Sequence, residues 1–275
     1  MTHPFSYAGK RVVVTGGATG IGDALLQVLS ELGAPEAIVL DRQQPRGPHT
    51  TYLRVDLGDH AAIDAALERI DGPVDALFNN AGVAATQPAR TVLSVNYLAA
   101  RRLSVGLLGQ MHPGSAIVNT ASIAGDRWAE HLADINDLLD IDDWDDALEW
   151  VDQHCQPGGV GADLYGFSKE VLRVWGMRQS RITMGHGVRT NSVCPAPVAT
   201  PLLVDFEATM GKSLLDWTVG QATGTIMTPR EVALPLAFLG SPAASYINGH
   251  DLVADGGFKA ALVTGQIDFD GLTRS

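Results

Sequence analysis

The chain of 275 residues is poor in features that mark secreted and membrane proteins. It has only two cysteines, Cys155 and Cys194, and their spacing indicates neither a disulfide framework nor a metal site. No apolar run reaches membrane-spanning length, and the opening MTHPFSYAGK lacks an apolar signal core. The sequence therefore predicts a cytoplasmic protein in a reducing compartment.

Positive charge is also scarce, because 19 Lys and Arg face 31 Asp and Glu, which gives a net charge of −12. This excess argues against nucleic acid and anionic membranes as partners. Ten of the acids lie in residues 130–152, which contain no Lys or Arg, so the acidity belongs mainly to one segment. His154 beside Cys155 has no further clustered ligands, and we expect no metal.

Short β-branched runs alternate with amphipathic patterns, which predicts a parallel sheet covered by helices on both faces. The predicted strands cover residues 11–15, 37–41, 52–56, 76–79, 116–120, 188–193 and 252–254. The predicted helices cover residues 21–32, 59–70, 93–108, 165–184 and 229–239. With 45% hydrophobic residues and no internal linker, residues 1–275 are expected to form one doubly wound α/β domain.

Two stretches interrupt this alternation. Residues 126–163 contain the acidic segment and an apolar stripe that predicts one short amphipathic helix, formed by Trp144, Ala147, Leu148 and Val151. We expect the stripe to pack near the mouth of a pocket or at a subunit interface, with the carboxylates facing solvent. Residues 200–224 are rich in Leu, Met and Trp and suit a mobile lid, or alternatively a packed pair of surface helices.

A glycine-rich turn follows the first predicted strand. Gly16, Gly20 and Gly22 form G-x-x-x-G-x-G between a strand and a helix, where glycines permit a tight turn and close approach to a pyrophosphate. The N-terminus of the following helix adds N–H groups and a favourable dipole. Together with Thr19 and Ile21, these glycines predict a dinucleotide-binding site.

Asp41 ends the second predicted strand, where a carboxylate can accept hydrogen bonds from ribose hydroxyls and repel a 2′-phosphate. Thr19 adds no positive charge to the loop, so the sequence predicts NAD as the cofactor. The neighbouring Arg42 keeps NADP open as an alternative, since a guanidinium can accommodate the extra phosphate.

Tyr165 and Lys169 are four residues apart in a predicted helix, which places a phenol and an ammonium on one face. The charge of Lys169 is expected to lower the pKa of Tyr165 from its ordinary value of about 10. Such a phenol can act as an acid or base at neutral pH. The spacing alone is common, but together with the glycine loop it predicts a hydride-transfer enzyme.

Taken together, these motifs resemble the short-chain dehydrogenase/reductase family over nearly the whole chain. The matching pieces are TGGATGIG, VDL at 55–57, NNAG at 79–82, SVNY at 94–97, NTAS at 119–122, YGFSK at 165–169 and LVADGG at 252–257. Their order and spacing are specific, although each piece alone is not. The resemblance implies a single Rossmann-fold domain with an acidic helical insertion before the Tyr-x-x-x-Lys helix.

The resemblance also implies four catalytic residues. Ser122 would hold and polarise the substrate oxygen, and Tyr165 would donate or accept the proton. Lys169 would bind the nicotinamide ribose as well as lower the pKa of Tyr165, and Asn96 would position a water in the proton relay.

Further cofactor contacts follow from the same resemblance. Asp56 and Leu57 would border the adenine, and Asn80, Ala81 and Gly82 would lie beside the cofactor. The family usually has Pro-Gly-x-Val-x-Thr after its sixth strand, whereas this chain has PAPVAT at 195–200. Val198 and Thr200 still match and would contact the nicotinamide amide, but the path of this loop is left open.

The long segment before Tyr165, with SVNYLAA and SPAASYINGHDLVADGG, is similar to a bacterial subgroup. That subgroup includes 3α-hydroxysteroid dehydrogenase/carbonyl reductase and coniferyl-alcohol dehydrogenase. It implies a bulky, largely apolar alcohol or ketone as substrate and a homo-oligomer, either dimer or tetramer. The alternatives are a family member that reduces C=C bonds or epimerises its substrate, and an NAD-sensing regulatory protein that binds without turnover.

Overall fold

Seven parallel strands form one sheet in the computed structural model, which describes residues 3–156 and 159–268. The strands are β1 (Arg11–Thr15), β2 (Glu36–Asp41), β3 (Thr51–Arg54), β4 (Val74–Asn79), β5 (Met111–Thr120), β6 (Arg189–Pro195) and β7 (Asp251–Ala254). Their order across the sheet is β3-β2-β1-β4-β5-β6-β7. The strand order reverses between β1 and β4, so the carboxyl ends of these two strands border a crevice.

Eleven α-helices accompany the sheet in the described residues. They are α1 (Gly20–Glu31), α2 (His60–Leu67), α3 (Ala89–Leu93), α4 (Ala99–Leu107), α5 (Leu132–Leu139), α6 (Trp144–His154), α7 (Leu164–Thr183), α8 (Leu203–Met210), α9 (Lys212–Gln221), α10 (Pro229–Gly240) and α11 (Phe258–Val263). No helix of the described chain has both the length and the apolarity needed to cross a membrane.

Two hydrophobic cores lie on opposite faces of the sheet because successive strand residues point to opposite sides. Val13 and Leu77 belong to the core shared with α2 to α7, whereas Val14 and Phe78 belong to the core shared with α1 and α10. Both faces are therefore covered, and the predicted doubly wound α/β fold is confirmed.

The helix predicted at residues 93–108 is longer and less regular than expected. It begins as α3 and passes through a π-helical turn, Ser94–Leu98, before it continues as α4.

The start of α2 matches its sequence signal, since the carboxylate of Asp59 accepts the N–H of Ala61 at 2.9 Å. Cys155 and Cys194 are both buried free thiols.

The insertion contains two helices, α5 and α6, where the sequence predicted one. The predicted apolar stripe is buried, but it packs into the core on the α2–α7 face rather than at a pocket mouth or subunit interface. Trp144 lies beside His60, with ring centroids 5.8 Å apart. The stripe is therefore part of the hydrophobic core and anchors the insertion to the rest of the domain.

Several carboxylates of the insertion are paired with arginines from the helices beneath it. Three side-chain pairs join the insertion to α3, α4 and α7: Arg90 with Asp152 at 2.5 Å, Arg101 with Asp142 at 2.6 Å, and Arg178 with Asp140 at 2.7 Å. These three carboxylates face solvent as expected, with Asp152, Asp142 and Asp140 51%, 100% and 66% exposed, although each also has an arginine partner. Each exposed pair is weak by itself, but together the pairs connect the acidic insertion to arginines of α3, α4 and α7.

Replacing Leu148 with Ala is expected to lower the free energy of unfolding by about 2–5 kcal/mol, because it leaves a cavity in the core. Urea denaturation would measure this loss. Glu149→Ala, at the exposed neighbouring position, is the matched control and should leave the urea midpoint nearly unchanged. An unchanged midpoint for Leu148→Ala would show that α6 does not contribute to the core.

Candidate active site

A cleft of about 1160 Å³ lies at the carboxyl edge of the sheet. It brings together most of the predicted site residues, namely Gly16, Thr19, Gly20, Ile21, Asp41, Asp56, Leu57, Asn80, Ala81, Gly82, Ser122, Tyr165, Lys169, Val198 and Thr200. Gly22 and Asn96 are not among its lining residues and support it from behind. The described part of the insertion beyond Arg127 does not line the cleft.

The glycine turn forms a cradle at one end of the cleft. Gly16 and Gly20 have φ of +67° and +57°, a backbone conformation that favours glycine. A Cβ at Gly22 would collide with the carbonyl oxygen of Gly16, so α1 can approach the turn only without a side chain there. Thr19 precedes α1 without a side-chain cap, which leaves the first-turn N–H groups suited to phosphate oxygens.

A polar network beneath the cradle holds the ends of β1, β4 and β5 together. The Thr15 hydroxyl accepts the N–H groups of Asn80 and Ala81, each at 3.0 Å. The Asn80 amide donates to the carbonyl of Gly16 at 3.1 Å and accepts from the Thr120 hydroxyl at 3.1 Å. Sequence analysis missed Thr15 and Thr120, since their role depends on contacts between distant strands.

Asp41 lies at the end of β2 and lines the cleft. Its two carboxylate oxygens accept the N–H groups of Ala18 and Gln43, both at 2.9 Å, which fixes the carboxylate against the glycine turn. Each oxygen keeps a further lone pair for a ribose hydroxyl. The cradle and this carboxylate therefore fit a dinucleotide. Within the described residues, no group of three or more His, Cys, Asp or Glu could hold a metal ion.

The other functional groups meet where α7 crosses the end of β5. Lys169 is buried, and its ammonium donates to the carbonyl of Thr120 at 2.9 Å and lies 5.6 Å from the centre of the Tyr165 ring. The Tyr165 hydroxyl is hydrogen-bonded to Ser122. Ser122 also accepts the N–H of Ala124 at 3.1 Å, which orients the start of a short 3₁₀ turn.

Burial dominates the ionisation of this pair. It raises the pKa of Tyr165 well above its ordinary value, whereas the Ser122 hydrogen bond lowers that pKa. Burial also lowers the pKa of Lys169 to about 8. Burial of the phenol outweighs the effect of Ser122, and the lowering of the Tyr165 pKa by Lys169 stays a prediction.

Asn96 lies in the π-helical turn and connects three segments behind the cleft. Its side-chain oxygen accepts the N–H of Val83 at 2.8 Å, while its amide donates to the Val83 carbonyl at 3.0 Å and to Ser168 at 2.9 Å. These bonds fix the loop after β4 against α7. The role of Asn96 in positioning a relay water stays a prediction.

Residues 200–224 include α8 and α9, and α8 contacts Tyr165. The ring of Phe206 meets the Tyr165 ring edge-on, with centroids 4.7 Å apart, and Met210 and Leu214 line the same end of the cleft. The predicted apolar cover is therefore present as a helix pair, and its mobility stays a prediction. Sequence analysis missed Phe258 and Leu262 of α11, which also line the cleft, although FKAALV offered an apolar signal.

The PAPVAT loop keeps the two matching residues at the cleft despite its departure from the family pattern. Val198 forms a parallel β-bridge with Met227, and the N–H of Ala199 donates to the Met227 carbonyl at 2.8 Å. The N–H of Ala196 donates to the Ala254 carbonyl at 3.0 Å. These contacts define the path that the sequence left open.

Comparison with known proteins agrees with this geometry. Residues 10–133 match a family model described as short chain dehydrogenase, and residues 154–259 match one described as enoyl-(acyl carrier protein) reductase. Coniferyl-alcohol dehydrogenase from Pseudomonas sp. (strain HR199 / DSM 7063) is 31% identical over 256 residues, which cover 92% of this chain and 98% of that protein. The chain belongs to the short-chain dehydrogenase family. It is an oxidoreductase that acts on CH–OH donors.

Solved structures support the same assignment. The 3α-hydroxysteroid dehydrogenase from Pseudomonas sp. B-0831, complexed with NADH, is 32% identical with a TM-score of 0.77, and the match covers 94% of this chain and 100% of that chain. A short-chain dehydrogenase from Burkholderia cenocepacia J2315, in complex with NADP, shares the fold at 23% identity and a TM-score of 0.69, over 92% of this chain and 99% of that chain. Proteins of this fold therefore bind either NADH or NADP.

Ser122→Ala is expected to move the pH profile of alcohol oxidation to higher pH. The Ser122 hydrogen bond lowers the pKa of Tyr165, so its loss raises the pH at which the phenolate forms. The measurement is kcat/KM against pH, which reports groups of the free enzyme. A loss of rate with an unshifted profile would show that Ser122 does not control the ionisation of Tyr165.

Proposed function

We propose that this short-chain dehydrogenase interconverts a bulky, largely apolar alcohol and its ketone or aldehyde with NAD. The observation that carries the proposal is the position of the Tyr165–Ser122 pair, which opens onto an apolar wall formed by Phe206, Met210 and Phe258. The similar coniferyl-alcohol and hydroxysteroid dehydrogenases support a substrate of this kind.

NAD, when bound, supplies the acceptor for the hydride of the substrate carbon. The Ser122 hydroxyl holds the substrate oxygen, and Tyr165 removes the proton from that oxygen in the oxidation direction. Reduction uses the same groups in reverse, with Tyr165 as the proton donor. Among the described residues, the ammonium of the buried Lys169 donates a hydrogen bond to the Thr120 carbonyl alone. Its other N–H groups are therefore available for a ribose hydroxyl.

NAD is proposed over NADP because the carboxylate of Asp41 is fixed at the end of β2 beside the glycine turn. A 2′-phosphate placed there would meet its negative charge at short range. Arg42 also lines the cleft and is the residue through which NADP could still be accepted.

We also propose a cytoplasmic homo-oligomer. The insertion is paired with Arg101 of α4 and Arg178 of α7, the two helices through which the family commonly assembles. The insertion covers part of the surface of these two helices, and we propose either a dimer or the family's common tetramer. Solution mass from light scattering tests the oligomeric state, and a monomer would contradict it.

Two other functions compete with this proposal. An NAD-sensing protein would bind the cofactor without turnover, and a C=C reductase would not need Ser122 beside a carbonyl oxygen. Two assays distinguish them: NADH formation from hydroxysteroids, terpene alcohols and cinnamyl alcohols, and NADH consumption with the corresponding enones. Binding of NAD without NADH production from any alcohol supports the sensor, and turnover of enones alone supports the C=C reductase.

Tyr165→Phe is expected to keep NAD affinity and to lower turnover by about 10²- to 10⁴-fold, because Phe preserves packing but removes the acid/base hydroxyl. Steady-state kinetics and NAD titration measure the two effects. Tyr246→Phe is the matched control, since Tyr246 is fully exposed. Near-normal turnover of Tyr165→Phe would remove Tyr165 from the proposed chemistry.

Asp41→Ser is expected to raise the ratio of activity with NADP to activity with NAD, because it removes the carboxylate that repels the phosphate. The ratio of kcat/KM values for the two cofactors is the measurement. Asp205→Ser is a suitable control, as Asp205 lines the cleft from α8. A native enzyme that already prefers NADP would contradict the role given to Asp41.

A further inference from the structure

Four charged side chains form an ion network that the reaction described above does not use. Asp126 pairs through one carboxylate oxygen with both the Arg173 guanidinium and the Lys259 ammonium, the latter at 2.8 Å. Arg173 also donates from Nε to Asp251 at 2.7 Å. We call these residues, Asp126, Arg173, Asp251 and Lys259, the Asp126 network.

The network is partly buried, so its charged groups depend on one another for compensation. The side chains of Arg173 and Asp251 are 3% and 11% exposed, whereas those of Asp126 and Lys259 are 27% and 34% exposed. A buried charge is tolerated when its partners satisfy it. Arg173 therefore constrains the positions of Asp126 and Asp251, and Lys259 is an accessible extension of the same network.

Each member belongs to a different element around the cleft. Asp126 ends the 3₁₀ turn that begins at Ser122, and Arg173 lies on α7 two turns beyond Tyr165. Asp251 begins β7. Lys259 lies on α11 between Phe258 and Leu262, which line the cleft.

The backbone shows how closely the Ser122 turn is packed on α7. A Cβ at Gly125 would lie 2.8 Å from the carbonyl carbon of Lys169 and 3.0 Å from Cδ of Arg173. The turn therefore rests directly on the helix, and Asp126 fastens its end there. A small shift of this contact would change the distance between the Ser122 and Tyr165 hydroxyls.

We propose that Asp126 is a positioning residue with two separable effects. Through Arg173 it sets Ser122 against Tyr165, and through Lys259 it holds α11 as the outer wall of the substrate end. The proposal rests on the proposed alcohol chemistry for its kinetic consequences. Its structural consequence, the order of α11, does not depend on the substrate.

The α11 arm is tested by Lys259→Met, which keeps the aliphatic stem and removes the ammonium. We expect KM for a bulky alcohol to rise about tenfold, the scale of a weakened apolar pocket contact, with a smaller change in kcat. KM for a short alcohol that does not reach α11 should stay near its native value. Lys259→Arg, which keeps the positive charge, should have a KM for the bulky alcohol close to the native value.

Lys212→Met is the matched control, because Lys212 pairs with Asp216 at 2.7 Å on the exposed face of α9. It should leave both KM values unchanged. Equal rises in KM for bulky and short alcohols in Lys259→Met would indicate a general loss of structure and would overturn the proposal, as would native KM values for both substrates.

The Ser122 arm is tested by Asp126→Asn, which keeps the shape of the side chain and weakens its hold on Arg173. We expect kcat to fall about tenfold or more for both alcohols, as expected from a small displacement of reacting groups, with NAD affinity unchanged. Because the same change weakens the pairing with Lys259, KM for the bulky alcohol should also rise, as in Lys259→Met. Native kcat in this variant would overturn this arm. A parallel loss of NAD affinity would overturn it too, because it would show a wider collapse of the site.

Hydrogen–deuterium exchange of the NAD-bound enzyme separates this proposal from the proposed function. Lys259→Met should increase exchange of the α11 amides at residues 258–263, while β5 stays protected. If the native enzyme oxidises none of the alcohols but this change occurs, the proposed function fails and the positioning of α11 stands. Unchanged exchange in α11 would overturn the positioning of α11 whatever the substrate.

Discussion

The site depends on one hydrogen bond, from the buried ammonium of Lys169 to the main-chain oxygen of Thr120 at 2.9 Å. This bond places α7 against the end of β5, and Tyr165, one turn earlier on the same face, then lies opposite Ser122. Desolvation disfavours the charged lysine and lowers its pKa to about 8. The charged lysine therefore destabilises the folded state at pH values below about 8. This penalty is relieved as the pH rises from about 8 toward the ordinary pKa of an exposed lysine. A ribose hydroxyl in the cleft would offset it by giving the ammonium a further partner.

The sequence could predict the parts of this arrangement that local spacing determines. Tyr165 and Lys169 share a helix face because they are four residues apart, and Gly16 and Gly20 reveal a turn that needs positive φ. The sheet could be predicted because its buried strands are apolar runs separated by helical patterns. These features explain why the family could be recognised without a structure and why nearly all of the predicted site residues line the cleft.

Other features could not be predicted because they arise between distant segments. The raised pKa of Tyr165 follows from the burial supplied by several elements, including Phe206 of α8. The pairing of the acidic insertion with Arg90 and Arg178 joins residues 62 and 38 positions apart, so the acids resembled a solvated surface. Phe258 follows β7 in the chain and lines the cleft beside residues of α7 and α8 that are distant in sequence. In each case the sequence shows the residue but not its neighbour.

This division also explains why the chemistry is easier to derive than the substrate. The helix α7, which carries Tyr165 and Lys169, is held along its length. Lys169 fastens it to the sheet, Arg173 pairs near its middle, and the Asn248 amide donates to the Ser180 carbonyl at 3.1 Å near its end. The end of the cleft proposed for the substrate is built instead from α8, α9 and α11, in which Val204 and Val263 are 71% and 73% exposed. These helices line the pocket but contribute neither of the hydroxyls proposed to react, those of Ser122 and Tyr165. Changes in them at positions that contact neither Tyr165 nor the Asp126 network can therefore alter the substrate while the Ser122–Tyr165 geometry is preserved.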